Sequence, residues 1–147
     1  MQLTTRGRYA VNAMLDMAMQ SDQTPLRLAD IAERQGISAS YLEQLFSGLR
    51  KAGLVQSSRG PGGGYRLGSP ADQIHVAAII DAVKEQIDVS RCGGKGDCQH
   101  GQMCLTHNLW VELSQELHRF LSGISLQHLI DRHRSGHEHR IEAVLSG

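Results

Sequence analysis

The stretch LADIAERQGISASYLEQLFSGLRKAGLVQSSRGPGGGYRL, from Leu28 to Leu67, decides the fold. Its first eight residues place Leu28, Ile31 and Ala32 on one side of a short helix, and Gly36 stands where a left-handed C-terminal cap belongs. Ser38 then reads as the N-cap of a second helix. In that helix Leu42, Leu45, Phe46 and Leu49 share one face, and Ser40, Tyr41, Glu43, Gln44 and Ser47 occupy the other. Gly53 stops it. Two helices around a glycine-containing turn, the second with a polar outer face, predict a helix-turn-helix. Solvation alone would account for a polar face. The residue types point further, because hydroxyls, an amide and one carboxylate gather at the end that enters a major groove. Gln44 suits adenine, Ser40 either purine, and Glu43 can accept from cytosine N4. Phosphates would repel Glu43, so it can also exclude unsuitable sites.

Behind that helix, LVQSS and YRL read as two short strands, with Gly60-Pro61-Gly62-Gly63-Gly64 as their loop. The glycine run has no GKS or GKT ending and no helix after it, so a phosphate-cradling P-loop is excluded. A hairpin in this place is a wing. Gly62 and Gly63 let its backbone approach a DNA strand, and Arg59 at its edge suits a phosphate or a narrow minor groove. Ordinary surface charge would also account for Arg59 and Arg66; DNA contact is favoured for Arg59, less for Arg66.

Outward from this core, RGRYAVNAMLDMAMQ predicts a first helix with Tyr9, Ala13, Met14, Met17 and Ala18 at helical spacing and Thr5 as N-cap. Arg6 and Arg8 sit in its first turn, where the helix dipole disfavours cations. A DNA phosphate there would remove the penalty. Gly68-Ser69-Pro70 is a linker, and Ile74 to Asp88 predicts a fourth helix carrying Val76, Ile79, Ile80, Val83 and Ile87, with His75 at the surface. Leu105 to Ile124 predicts a long helix in which leucines recur every four residues. Its apolar face is wider than the edge of a small domain needs, and a second copy of the chain would cover it. Ser125 to Arg132 predicts a last short helix. The polar tail beyond holds His133, His137 and His139 and is expected to be flexible. The expected organisation is therefore a winged helix-turn-helix domain over residues 1–67, dimerisation helices over 68–134 with a ligand loop at 88–107, and a tail over 135–147. The fold class is mainly α with a small β-hairpin wing.

The ligand loop is RCGGKGDCQHGQMCLTH, Arg91 to His107, which holds all three cysteines of the chain. Cys92, Cys98 and Cys104 are separated by five residues each, and His107 follows; Cys104 and His107 are expected to share the first turn of the long helix. Three thiolates and an imidazole suit zinc, copper(I) or an iron–sulfur cluster. None of the gaps is as short as those of zinc fingers, and long glycine-rich gaps suit a larger object. A disulfide would leave one cysteine over. A Cys–His hydrolase would need an orienting group and an oxyanion site, and neither is visible. Inert thiols are usually buried, not gathered in a polar glycine loop.

Composition sets further bounds. The 147 residues hold 15 Lys+Arg and 15 Asp+Glu. Residues 1–67 carry eight cations against five anions, and residues 68–147 carry seven against ten. The front half is thus mildly positive, which suits an anionic partner. No apolar run reaches the length of a membrane span. No secretory signal is apparent, so reduced thiols and a cytoplasmic setting are expected.

The motifs LTTRGRYAVNAMLD, ADIAERQGIS, SYLEQLFSGLRKAGLV, RGPGGGY and the C-x5-C-x5-C-x2-H loop resemble the IscR-type family of bacterial iron–sulfur-cluster regulators, over Met1 to about Arg132. The resemblance implies a non-enzymatic transcription factor that binds double-stranded promoter DNA as a homodimer. It implies one 2Fe–2S cluster per subunit, ligated by Cys92, Cys98, Cys104 and His107, with the cluster assembly machinery as its source. It implies control of iron–sulfur assembly genes, repressing some and activating others, with DNA contacts in Ser38–Gln44 and at Arg59. Two rival classes use the same four donors: an electron-transfer or cluster-carrier protein, which would not need a winged helix, and a DNA-binding zinc sensor, which would be colourless.

Overall fold

A computed structural model describes residues 5–20, 25–59, 63–83 and 105–135. The helix α1 runs Thr5–Gln20, and Thr5 is already helical there rather than its cap. Its inward face buries Ala10, Ala13, Met14 and Met17, with Tyr9 and Ala18 at the margin.

The helices α2 (Leu28–Gln35) and α3 (Ala39–Lys51) form the expected helix-turn-helix. Gly36 adopts φ +66°, and the two amides after α2 fold back on it: Gly36 N–H donates to the Glu33 carbonyl and Ile37 N–H to that of Ala32. This paired closure satisfies carbonyls that a helix end leaves open, and the buried Ile37 seals it. Ser38 caps α3, its hydroxyl oxygen accepting from Tyr41 N–H at 3.2 Å. The same closure recurs at Gly53, φ +79°, where Gly53 N–H donates to Arg50 and Leu54 N–H to Leu49.

The wing pairs β1 (Val55–Ser57) with β2 (Tyr65–Leu67) antiparallel, matching Val55 with Leu67, Gln56 with Arg66 and Ser57 with Tyr65. Leu26 adds a short third rung. Its amide donates to the Tyr65 carbonyl at 2.8 Å and its carbonyl accepts from Tyr65 N–H at 2.7 Å. A Cβ on Gly64 would lie 2.3 Å from the Leu26 carbonyl oxygen, so only glycine lets the two backbones come this close.

The fourth helix, α4 (Val76–Ala82), begins later than its apolar run suggests. Ile74 and His75 are extended, because backbone pairing there competes with the helix. Val76 N–H donates to the Ile124 carbonyl and Leu126 N–H to the Ile74 carbonyl, both at 2.9 Å, and His75 bridges Ser125. His75, expected at the surface, is half-buried. The part of the predicted helix beyond Val83 lies outside the described residues. The long helix, α5, covers His107–Ser122, preceded by a turn at Leu105 and Thr106. Cys104, expected to share the first turn of this helix with His107, lies outside the described residues.

A sixth helix, α6, spans residues 126–135 and so takes in His133. Ser125 caps it reciprocally: its hydroxyl oxygen accepts from His128 N–H, and His128 Nδ1 accepts from Ser125 N–H, both at 3.1 Å. His137 and His139 lie outside the described residues.

Two buried apolar clusters join these elements, the smaller made by Val76, Ile80 and Ile124. Phe46 belongs to the larger, with Met14, Met17, Ile31, Leu42, Leu45 and Leu49, and that cluster takes in Ile74, Ile79 and Leu126 from beyond the linker. The helices α3 and α4 meet closely there: a Cβ on Gly48 would stand 2.6 Å from the Ala82 carbonyl oxygen. An ion pair fixes α1 against α2. Arg34 Nη2 lies 2.7 Å from Asp16 Oδ1, and Gln35 Nε2 donates to Asp16 Oδ2 at 2.8 Å. The hydrogen bond to Asp16 raises the Arg34 pKa above its ordinary value. Sequence reasoning passed over Asp16 because a carboxylate on an apolar face carries no periodic signal.

Candidate nucleic-acid interface and ligand segment

The outer face of α3 is open. Ser40, Glu43 and Gln44 are exposed, within the first two turns of the helix. Backbone amides not yet used by the helix point the same way, so this end attracts anions. Ser38 is exposed too, although its oxygen already caps the helix, which leaves its hydroxyl hydrogen to donate. Tyr41 differs from its neighbours. It is half-buried, with its ring edge-on to that of Tyr9 at 6.0 Å and 81°, so it braces α3 against α1.

Arg6 and Arg8 are exposed in the first turn of α1, and Tyr9, next in sequence, belongs to that brace. Arg59 is exposed immediately beyond β1, and Arg66 is exposed on β2 opposite Gln56. Gly63 is half-buried at the start of β2's approach, and Gly62 lies outside the described residues. Phe46 supports the wing from beneath, its ring edge-on to Tyr65 at 5.2 Å. Recognition helix and wing are thus anchored to a single aromatic pair.

Replacing Glu43 by Ala should widen the set of duplexes bound. The side chain is exposed at the reading end, so its loss costs little stability and removes a charge that phosphates repel. Selection from a randomised duplex pool measures this: a gain of roughly 5- to 150-fold on formerly poor sites is expected, in line with 1–3 kcal/mol per discriminated base. An unchanged profile would dismiss the discriminating role.

On the ligand segment, Cys92, Cys98 and Cys104 lie outside the described residues. His107 is described, and it is buried, 8 % exposed, at the head of α5. It is the buried residue of a helix whose other side chains are half-buried or exposed. Among the described residues no group of three or more His, Cys, Asp or Glu side chains converges on a metal position.

The comparisons with known proteins now bear on this geometry. The family model Rrf2, described as an iron-dependent transcriptional regulator, matches residues 3–132. The chain belongs to the Rrf2 family. Among Rrf2 relatives, the HTH-type transcriptional regulator IscR of Vibrio campbellii is 62 % identical over 130 residues, covering 88 % of this chain and 77 % of its own. Among solved structures, IscR of T. potens superposes with a TM-score of 0.72 at 35 % identity, over 89 % of this chain and 87 % of that one. CymR, the global cysteine regulator of B. subtilis, does so with 0.72 at 32 %, over 88 % and 95 %. The resemblance read from the motifs and the winged-helix fold class are both borne out. The protein is a DNA-binding transcriptional regulator of the Rrf2 kind. Among its described residues no helix is long and apolar enough to cross a membrane. A regulator named IscR and one named for cysteine share this fold at similar likeness, so the signal must be read from the ligand segment and not from the scaffold.

Proposed function

We propose that this chain is an iron–sulfur-cluster-sensing transcriptional regulator that acts as a homodimer on promoter DNA. It controls iron–sulfur assembly genes, repressing some and activating others, within the cytoplasm. The observation that carries this reading is the donor set and its attachment: three thiols in one glycine-rich segment lead into a buried imidazole that starts α5.

The donors fit a cluster. Cys92, Cys98 and Cys104 supply soft thiolates, Gly93, Gly94, Gly96 and Gly101 give the backbone freedom to converge, and His107 is held in place by α5. These four residues would hold one 2Fe–2S cluster per subunit, received from the assembly machinery. When bound, such a group supplies metal–thiolate cross-links and a redox-active centre. Histidine binds iron less firmly than thiolate and competes with protons for it, so occupancy can follow cluster supply.

The remaining steps belong to the protein's own residues. Residues 1–67 read DNA through Ser38, Ser40, Tyr41, Glu43 and Gln44, with Arg6, Arg8, Arg59, Gly62 and Gly63 along the backbone. Residues 68–134 join the two copies. Within its own chain α5 leaves Leu109, Trp110, Leu113 and Phe120 exposed, a face that a second copy would cover. Ordering of the segment before His107 would stiffen the start of that helix and so bias how two recognition helices are presented.

The test is direct. Protein purified without air should be coloured, with visible charge-transfer absorption and about two iron and two sulfide per chain. A colourless product lacking iron and sulfide would reduce the protein to a winged-helix DNA binder without a cluster.

A further inference from the structure

Besides the packing of Leu121 against Val76, Ile80 and Ile124, polar contacts among the described residues fasten α5 to its own chain at two levels. At its C-terminal end the tie is backbone: Val76 N–H to the Ile124 carbonyl, and Leu126 N–H to the Ile74 carbonyl, each at 2.9 Å. Nearly two turns further up, His118 Nε2 on α5 lies 3.2 Å from Asp81 Oδ2 on α4. Ser122 supports the ring from below. Its hydroxyl donates to the His118 carbonyl at 2.8 Å, and its oxygen lies 3.4 Å from His118 Nδ1.

We infer that Asp81 and His118 are positioning residues for DNA reading: their contact sets the angle at which α5 leaves the winged helix, and through it the half-site spacing that the dimer accepts. This rests on the dimer reading above. A helix held at one end can pivot, and a second fixed point removes that freedom. From His118 back to His107 the helix runs on for roughly 16 Å at 1.5 Å per residue. A tilt of about 10° would move its far end by about 3 Å, close to the 3.4 Å rise of one base pair along a strand. The side chains are 50 % and 57 % exposed, so the pair adds little to the stability of the fold. Its influence falls on geometry.

The experiment uses the full-length chain and duplexes bearing two half-sites, taken from a randomised-pool selection, at systematically varied spacing. The wild type should favour one spacing. His118→Gln and Asp81→Asn should each flatten that preference by roughly two- to fivefold, with melting temperature and affinity for a single half-site unchanged. His118→Lys offers Asp81 an ion-pair partner and should retain the preference, and Asp81→Lys combined with His118→Glu should restore it. Variants with the wild-type spacing profile, or with equal losses on single and paired half-sites, would overturn the positioning role while leaving the dimer intact. A wild type that sediments as a monomer while bound, or ignores spacing, would bring down the dimer reading and this inference together.

Discussion

Truncating Phe46 to Ala is expected to destabilise the protein by about 3–5 kcal/mol, the range for removing a buried aromatic ring. Its side chain is fully buried among Met14, Met17, Ile31, Leu42, Leu45 and Leu49. The surroundings come from three helices and a strand, so they cannot all relax into one cavity. The ring also meets Tyr65 edge-on, a contact worth about 0.5–1.5 kcal/mol beyond area. Against a typical stability of about 5–15 kcal/mol this is roughly a fifth or more of the whole. Urea denaturation should show the midpoint collapsing, and DNA binding should fail at temperatures the wild type tolerates. Phe46→Leu retains most of the volume and should lose distinctly less. A midpoint within error of wild type for Phe46→Ala would mean that recognition helix and wing are not held as described.

Cys92→Ala should have the largest effect on function and almost none on folding. Removing one thiolate from the donor set leaves too few ligands for stable occupancy, so the variant should purify without the visible absorption of the wild type. If occupancy and DNA binding are coupled through α5, promoters should divide into a class that needs the cluster and one that does not, and affinity for the first should fall by roughly 5- to 150-fold, the usual span of an allosteric coupling of 1–3 kcal/mol. Affinity for the other class should hold. Anaerobic titrations on both classes measure it, at fixed salt because phosphate contacts make every affinity salt-dependent. Equal affinity of variant and wild type at every promoter would remove gating by the cluster.

Much of the fold is legible because local signals agree there. Gly36, Ser38 and Gly53 mark where α2 ends and where α3 starts and stops, and the structure satisfies each by hydrogen bonds within a few residues. The apolar faces of α1 and α3 follow from a 3.6-residue period. What stays hidden depends on partners distant in sequence. Ile74 and His75 look helical by composition, yet they pair with residues 124–126, fifty positions away. Leu26 joins the wing through Tyr65, which no hairpin signal announces. Asp16 and Arg34 find each other across 18 residues, and Asp81 meets His118 across 37. At the interface, exposure of Ser40, Glu43 and Gln44 follows from helix phase alone, whereas Tyr41 owes its half-buried state to a ring on another helix.

The near-touching of Gly48 and Ala82 has a mechanical consequence. Where two backbones sit this close there is no slack for one to slide before the other follows, and a densely filled interior passes a push along without absorbing it. The helix ending at Ala82 lies nine residues ahead of the ligand segment that opens at Arg91. A displacement of α4 therefore arrives at the base-reading surface as rigid-body motion, like a handle welded to a key, and any larger residue at position 48 would force the weld apart.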